Sequence, residues 1–174
     1  MKKPLFTIFV CLFLFSGLQA QIQKGNTAIG GSASLNIGLD EGAGTSFFVS
    51  PTYGKFLSDK FLLSASAGFS VFDGAVSNSW SINFGPILRY YINVNETISP
   101  FLTGGVNYIY QSFDSDFLED FNGFRTFVGG GASVHLNEHI TLDGSAIYAY
   151  DEFTSSNDIR LLWGFSIFLD GAEE

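Results

Sequence analysis

The sequence predicts an all-β fold, an eight-stranded antiparallel up-and-down transmembrane β-barrel. Three observations lead there: a short apolar leader, a hydropathy period of two along the rest of the chain, and strand faces that do not suit a water-soluble protein. The chain has 174 residues, of which 46% are hydrophobic and 14% charged, with 20 Phe and one Met. Mean hydropathy is +0.24. A chain this apolar does not stay solvated as a disordered polymer.

Met1 to Ala20 has the layout of a cleaved signal peptide. Lys2 and Lys3 form the positive start, Leu5 to Phe15 the apolar run, and Gly17-Leu18-Gln19-Ala20 the small-residue approach to a cut before Gln21. The run is too short for a membrane helix, which needs about 20 residues. Cys11 sits inside it after Val10 rather than behind a small residue, so lipid attachment is not expected, and cleavage removes the chain's one cysteine with its thiol and disulfide chemistry. The expected organisation is a signal peptide at 1–20, a barrel domain at 21–169 and a short tail at 170–174. Without Lys2 and Lys3, six of the eight basic residues face all 17 acidic ones, a net charge of −11. Nucleic-acid binding is excluded, because it needs clustered Lys and Arg.

Beyond the leader no window repeats at helical spacing. Eight segments alternate instead: Asn26–Leu39, Thr45–Phe56, Phe61–Val71, Ser79–Tyr91, Ile98–Phe113, Gly123–Leu136, Ile140–Tyr150 and Ile159–Leu169. Most exceed the usual five or six residues of soluble strands and match the roughly 9–11 residues that a tilted strand needs to cross a bilayer.

The faces decide the solvent. In the third segment Phe61, Leu63, Ala65, Ala67, Phe69 and Val71 oppose Leu62, Ser64, Ser66, Gly68, Ser70 and Phe72. In the fourth, Trp80, Ile82, Phe84, Pro86, Leu88 and Tyr90 oppose Ser81, Asn83, Gly85, Ile87, Arg89 and Tyr91. The eighth sets Ile159, Leu161, Trp163, Phe165, Ile167 and Leu169 against Arg160, Leu162, Gly164, Ser166 and Phe168. Lys55, at a strand end, is the one charge assigned to the apolar face. A soluble barrel needs Lys, Glu and Asp on its outer face, whereas the second face here is small and weakly polar. Lipid outside and a small-residue lumen inside account for both. An open sheet would leave edge amides unpaired in lipid, so the strands must close.

The connections at 57–60, 93–97 and 137–139 are short turns, expected in the periplasm; those at 39–44, 73–78, 114–122 and 151–158 are longer on average and expected outside. The outer set carries Asp40, Glu41, Asp73, Asp114, Asp116, Glu119, Asp120, Asp151, Glu152 and Asp158 with no Lys or Arg, an acidic rim.

Phe48-Val49-Ser50-Pro51-Thr52-Tyr53-Gly54-Lys55-Phe56, Phe84-Gly85-Pro86-Ile87-Leu88-Arg89-Tyr90-Tyr91 and Ser99-Pro100-Phe101-Leu102-Thr103-Gly104-Gly105-Val106-Asn107-Tyr108 resemble successive strands of the small eight-stranded outer-membrane β-barrel proteins of Gram-negative bacteria, the group that includes the OmpA transmembrane domain and OmpX. The resemblance spans residues 21–169. It implies an outer-membrane location, contact with outer-membrane lipid and lipopolysaccharide, insertion by the barrel-assembly machinery and a monomer. It fixes no function, because that fold hosts structural, adhesive, small-pore and a few enzymatic members. Such barrels often finish on an aromatic residue, whereas here Asp170-Gly171-Ala172-Glu173-Glu174 follow Leu169. No periplasmic peptidoglycan-binding domain is expected after Glu174.

Candidate site residues lie in the lumen. Arg125 and Arg160 fall near the outer ends of strands six and eight, with Asp151 expected between them. Arg89 and Asp143 fall toward the periplasmic ends of strands four and seven. A charge in a narrow barrel must be paired or wetted, so these five form either a static polar plug, the preferred reading, or a salt-bridge gate. Phe48, Leu62, Phe72, Phe101, Phe127 and Phe168 also point inward, and an eight-stranded lumen is readily filled by side chains. Asp114, Asp116, Glu119 and Asp120 offer four carboxylates in seven residues, a candidate weak cation site. The loop lacks the glycine turn and spacing of a dedicated calcium loop, which favours a solvated acidic surface. His135 and His139 lie near a periplasmic turn with no Ser and carboxylate placed to serve them, so catalysis is not expected. Gly129-Gly130-Gly131 precedes no helix and reads as relief of crowding.

Trp80, Tyr108, Tyr110, Phe124, Tyr148, Tyr150 and Trp163 are expected as an outer aromatic girdle, and Tyr53, Phe61 and Tyr90 as an inner one. Pro51, Pro86 and Pro100 are expected at bulges. The leading function is a non-enzymatic structural or surface-interaction barrel without cofactor or metal. The alternative is a narrow channel for water, ions or small solutes. A soluble lipocalin-like binder conflicts with the uncharged exterior.

Overall fold

The computed structural model describes residues 22–37, 44–74, 77–94, 97–115, 117–152 and 155–170. The expected signal peptide at 1–20, Asp40, Glu41, Asp116 and residues 171–174 lie outside them. The eight strands are β1 (Thr27–Ile37), β2 (Thr45–Ser58), β3 (Phe61–Asp73), β4 (Asn78–Tyr91), β5 (Ile98–Phe113), β6 (Phe121–His135), β7 (Ile140–Asp151) and β8 (Ser156–Leu169). Each pairs antiparallel with its sequence neighbour, and β1 pairs with β8 to close the barrel. The β1–β8 ladder runs from Thr27 opposite Leu169 to Ala33 opposite Trp163 and gives the edge amides there a partner, which lipid could not supply; it ends short of Ile37 and Ser156.

The alternation expected from sequence is realised with its polarity inverted relative to a soluble protein. Leu35, Tyr53, Phe84, Val128, Ile159 and Leu161 stand fully on the outside, while Ser50, Ser66, Ser81, Asn83, Ser99 and Ser133 are buried inside. The strands have 11–16 residues; β2, β3, β4, β7 and β8 and the start of β6 run one to three positions past the expected ends, β5 matches, and β1 covers only Thr27–Ile37. The connections at 74–77 and 152–155 are accordingly shorter than hydropathy suggested, because the strand tips that leave the apolar band are polar yet still paired.

Two expectations are corrected. The prolines do not mark bulges. Pro51 and Pro86 each interrupt one ladder, between β2 and β3 and between β4 and β5, yet the pairing on either side resumes in the same register. Pro100 stays in register with Ala132. Each Pro leaves one neighbouring ladder short of a donor without inserting a residue. The register shift that does occur in β2 lies between Phe56 and Ser58, beside the Asp59-Lys60 turn. Trp163 does not join the outer girdle either: it stands opposite Ala33 and Gly144, midway along the barrel. Its ring lies over Gly144, where a Cβ would meet Cζ3 at 3.0 Å.

Elsewhere in the outer belt rings touch in two groups. Trp80 meets Tyr110 at 5.6 Å between centroids, Phe84 meets Tyr108 at 5.5 Å, and Tyr108 meets Phe124 at 5.6 Å. These rings face outward with polar tips directed to the loops: the Tyr148 hydroxyl donates to Asn157 Oδ1 at 2.6 Å and that of Tyr110 to Asp120 Oδ2 at 2.6 Å. An apolar body with a wet tip suits a membrane interface.

Candidate functional site

The lumen divides into two halves. The half toward the short turns is packed. Ile22, Ala28, Phe56, Leu62, Tyr91, Phe101 and Phe168 form the buried apolar cluster, with Val94 against it. Tyr91 is 0% and Phe101 and Phe168 each 1% exposed. The rings interlock at 5.7–5.9 Å, Phe56 on Phe168 and Tyr91, and Tyr91 on Phe101. The Gly25 amide donates to the Phe56 carbonyl and the Phe56 amide to that of Asn26, both at 2.9 Å, which continues the β1–β2 ladder; a turn just before it, the Asn26 amide donating to the Gln23 carbonyl at 3.2 Å, brings Ile22 to this cluster. Gly25 makes the turn at φ 92°, open to glycine at little cost. Gly131 faces Phe101, whose Cζ would lie 2.8 Å from an added Cβ; the expected relief of crowding in Gly129–Gly131 is placed under a ring of the plug.

Arg89 and Asp143 cap that cluster. Arg89 Nη1 donates to Asp143 Oδ2 at 2.8 Å and to the Tyr91 hydroxyl at 3.2 Å, and its guanidinium carbon lies 4.1 Å from the centroid of Phe101. Asp143 accepts further bonds from Thr141 Oγ1 at 3.0 Å and Ser166 Oγ at 2.8 Å. A buried carboxylate with three donors and a guanidinium held by a carboxylate and two rings are both compensated.

Among the upper charges, Asp151 tops β7 between β6 and β8. It stands in register with Arg125 across β6 and β7 and accepts from its Nε and Nη2, a bidentate pair. Arg160 donates instead to Asp158, from Nε at 2.9 Å and Nη2 at 2.5 Å. The two residues share a face because they are two apart on β8. Sequence reading placed Asp158 in a loop, since the strand was expected to begin at Ile159; the i, i+2 spacing was the signal available. Two carboxylates counted in the acidic rim are thereby neutralised.

Of the acidic loop, Asp120 serves the β5–β6 end, accepting from the Phe113 amide at 3.2 Å as well as from Tyr110. These donors hold its carboxyl below the ordinary carboxylate range, the Tyr110 hydroxyl foremost. Asp114 and Glu119 are exposed, and Asp116 lies outside the described residues. Among the described residues no group of three or more His, Cys, Asp or Glu is placed to hold a metal ion.

One further correction concerns histidine. Ser99 Oγ lies 2.8 Å from His135 Nε2, so a serine does meet a histidine. Ser99 is 0% exposed, and among the described residues His135 Nδ1 is buried without a hydrogen-bond partner, the position at which a third group orients a catalytic base. Register across β5 and β6 brings the two together, which spacing in the chain could not reveal.

Above Arg89 and Asp143 lies a cavity of about 670 Å³ reaching the loop end. It is bordered by hydroxyl and amide side chains, by the rings of Phe48, Phe72 and Phe127, and by Arg125, Asp158 and Arg160; where the β1–β8 ladder ends it also touches the outward-facing Ile159, Leu161, Trp163 and Phe165. None of Phe56, Leu62, Tyr91, Phe101 or Phe168 lines it.

A closed eight-stranded up-and-down barrel with an apolar exterior and a polar, ion-paired lumen is the architecture of a small outer-membrane protein. Residues 7–165 match the model of the outer membrane protein beta-barrel domain family, and the chain belongs to that family. Its structure is similar to the N-terminal β-barrel domain of Pseudomonas aeruginosa OprF, with a TM-score of 0.65 at 13% identity over 84% of this chain and 98% of that one. It is also similar to the outer membrane protein OprG of Pseudomonas aeruginosa (TM-score 0.60, 15% identity, 86% and 98% covered). A third likeness is to the attachment invasion locus protein of Yersinia pestis (TM-score 0.55, 14% identity, 84% and 100% covered). At these identities the likeness concerns the fold. No curated protein sequence matches the chain.

Proposed function

We propose that this protein is a non-conducting, non-enzymatic outer-membrane barrel that acts at the cell surface, a structural or surface-interaction protein. The observation carrying this reading is the ring cluster of Phe56, Tyr91, Phe101 and Phe168, closed from below by Ile22 and capped by Arg89 and Asp143. Short turns at the sealed end support a periplasmic position for it, with the loops outside. Residues 1–20 direct export and are cleaved in the course of it, and the protein works as a monomer among outer-membrane lipid and lipopolysaccharide after insertion by the barrel-assembly machinery.

The test is planar-bilayer recording of the refolded protein. The expected result is no unitary current. Steady openings that change in size in Arg125→Ala or Arg160→Ala would replace this reading with the narrow channel. N-terminal sequencing of the outer-membrane form is expected to begin at Gln21.

A further inference from the structure

The cavity of about 670 Å³ at the loop end falls within the range of small-molecule sites, about 300–1,000 Å³. Its walls differ in how far their polar groups are already spent. Along β3, β4 and β5 they are tied to each other. Ser70 and Ser81 share a hydrogen bond of 2.7 Å, Gln111 donates to Ser79 at 3.2 Å, Asn107 to Asn83 at 3.5 Å, and Ser66 to the Gly85 carbonyl at 3.2 Å. On β1 and β2, Ser32 stands in register with Ser50, Thr52 with Gly30 and Ser34 with Phe48. The hydroxyls of Ser32, Ser34, Ser50 and Thr52 line the cavity, and among the described residues none of them has a side-chain hydrogen bond.

The charges bordering the cavity cancel. Arg89 is paired with Asp143 and Arg160 with Asp158, and Arg125 is spent on Asp151. An anion or cation therefore finds no net attraction, whereas a molecule offering both donors and acceptors finds a row of four open hydroxyls, each able to do either. The rings of Phe48, Phe72 and Phe127 add apolar faces for C–H groups. We infer that this cavity is a binding site for a neutral polyhydroxylated solute of mono- to disaccharide size, held on Ser32, Ser34, Ser50 and Thr52 and entering from the loop end. The inference rests on the sealed-barrel reading, since the Arg89–Asp143 floor is what turns the lumen into a blind site.

The experiment is saturation-transfer NMR on the full chain refolded in sugar-free detergent, with maltose and glucose as probes and inorganic phosphate as the charged comparison. Maltose is expected to bind in the millimolar range and phosphate not at all. Ser32→Ala/Ser50→Ala removes two hydroxyls without adding volume and is expected to weaken maltose binding about tenfold. Ser50→Phe fills the site and abolishes binding, and Ser58→Ala, beyond the other end, binds as wild type. A heat-dependent gel shift confirms folding of each variant. No transfer to either sugar by folded wild type overturns the inference, as does equal binding by the folded double variant. Liposome swelling in maltose separates the two readings: swelling overturns the sealed barrel, while no binding and no swelling overturns the ligand alone.

Discussion

The two ends of the lumen are built from the same alternating strands and do opposite things. At the turn end the inward positions carry Phe56, Tyr91, Phe101 and Phe168, and the residues ahead of β1 turn in to fill the remaining gap. At the loop end the inward positions carry Ser and Asn around an open cavity, with Phe48 and Phe127 beside it. Burial of interlocked rings supplies stability, whereas a wall of open hydroxyls supplies little and is free to be used in recognition. The ion pairs follow the same division: Arg89–Asp143 is enclosed, Arg160–Asp158 lies at the rim with side chains 33% and 43% exposed.

The largest effect is expected from breaking the sealed end. Phe56→Ala/Phe101→Ala removes two fully buried rings, each costing about 3–5 kcal/mol, and opens the floor. Denaturant unfolding followed by gel shift reads the first loss and bilayer recording the second; silence from a folded double variant would show that the ring cluster is not the barrier. Next, Asp143→Asn leaves the Arg89 charge enclosed against Phe101. A loss of about 3 kcal/mol is expected from the orphaned charge, and Arg89→Met/Asp143→Leu should recover most of it.

A finer contrast lies among the upper pairs. Arg125→Ala removes a bidentate, mostly buried partner of Asp151 and is expected to cost about 1–3 kcal/mol, against about 0–1 kcal/mol for Arg160→Ala at the rim. Equal midpoints for the two variants would remove the distinction between enclosed and rim charges. The smallest effect concerns the loop itself. Asp120 titrates below the ordinary carboxylate range, so its stabilising bonds are present at and above that range and lost as the pH falls through the lower, folded value. Tyr110→Phe removes the foremost cause, and carboxyl-carbon NMR should show the Asp120 midpoint moving up toward the ordinary range.

Much of the fold was legible because a lipid-facing strand has little choice: every second residue must be apolar, and Trp80 to Tyr90 or Ile159 to Leu169 state this without help. The strand tips were less legible, since Ser156, Asn157 and Asp158 leave the apolar band while still pairing, so hydropathy stops before the ladder does. The site was legible in part. Arg89 and Asp143 were recognisable as inward charges at the same depth, and Asp158 could have been matched to Arg160 by spacing alone. Ser99 with His135, and Arg125 with Asp151 alone, depended on register, which no period of two specifies.

The sequence by itself determined the solvent on each face, the number of strands and the need to close, because those follow from side-chain hydropathy and from the unpaired amides that lipid forbids. Tertiary structure decided where the lumen is full and where it is empty. That outcome depends on which inward residues share a depth once the eight strands are staggered around the barrel. It also depends on a short segment ahead of β1, Ile22 to Asn26, turning to bury an isoleucine that no strand pattern includes.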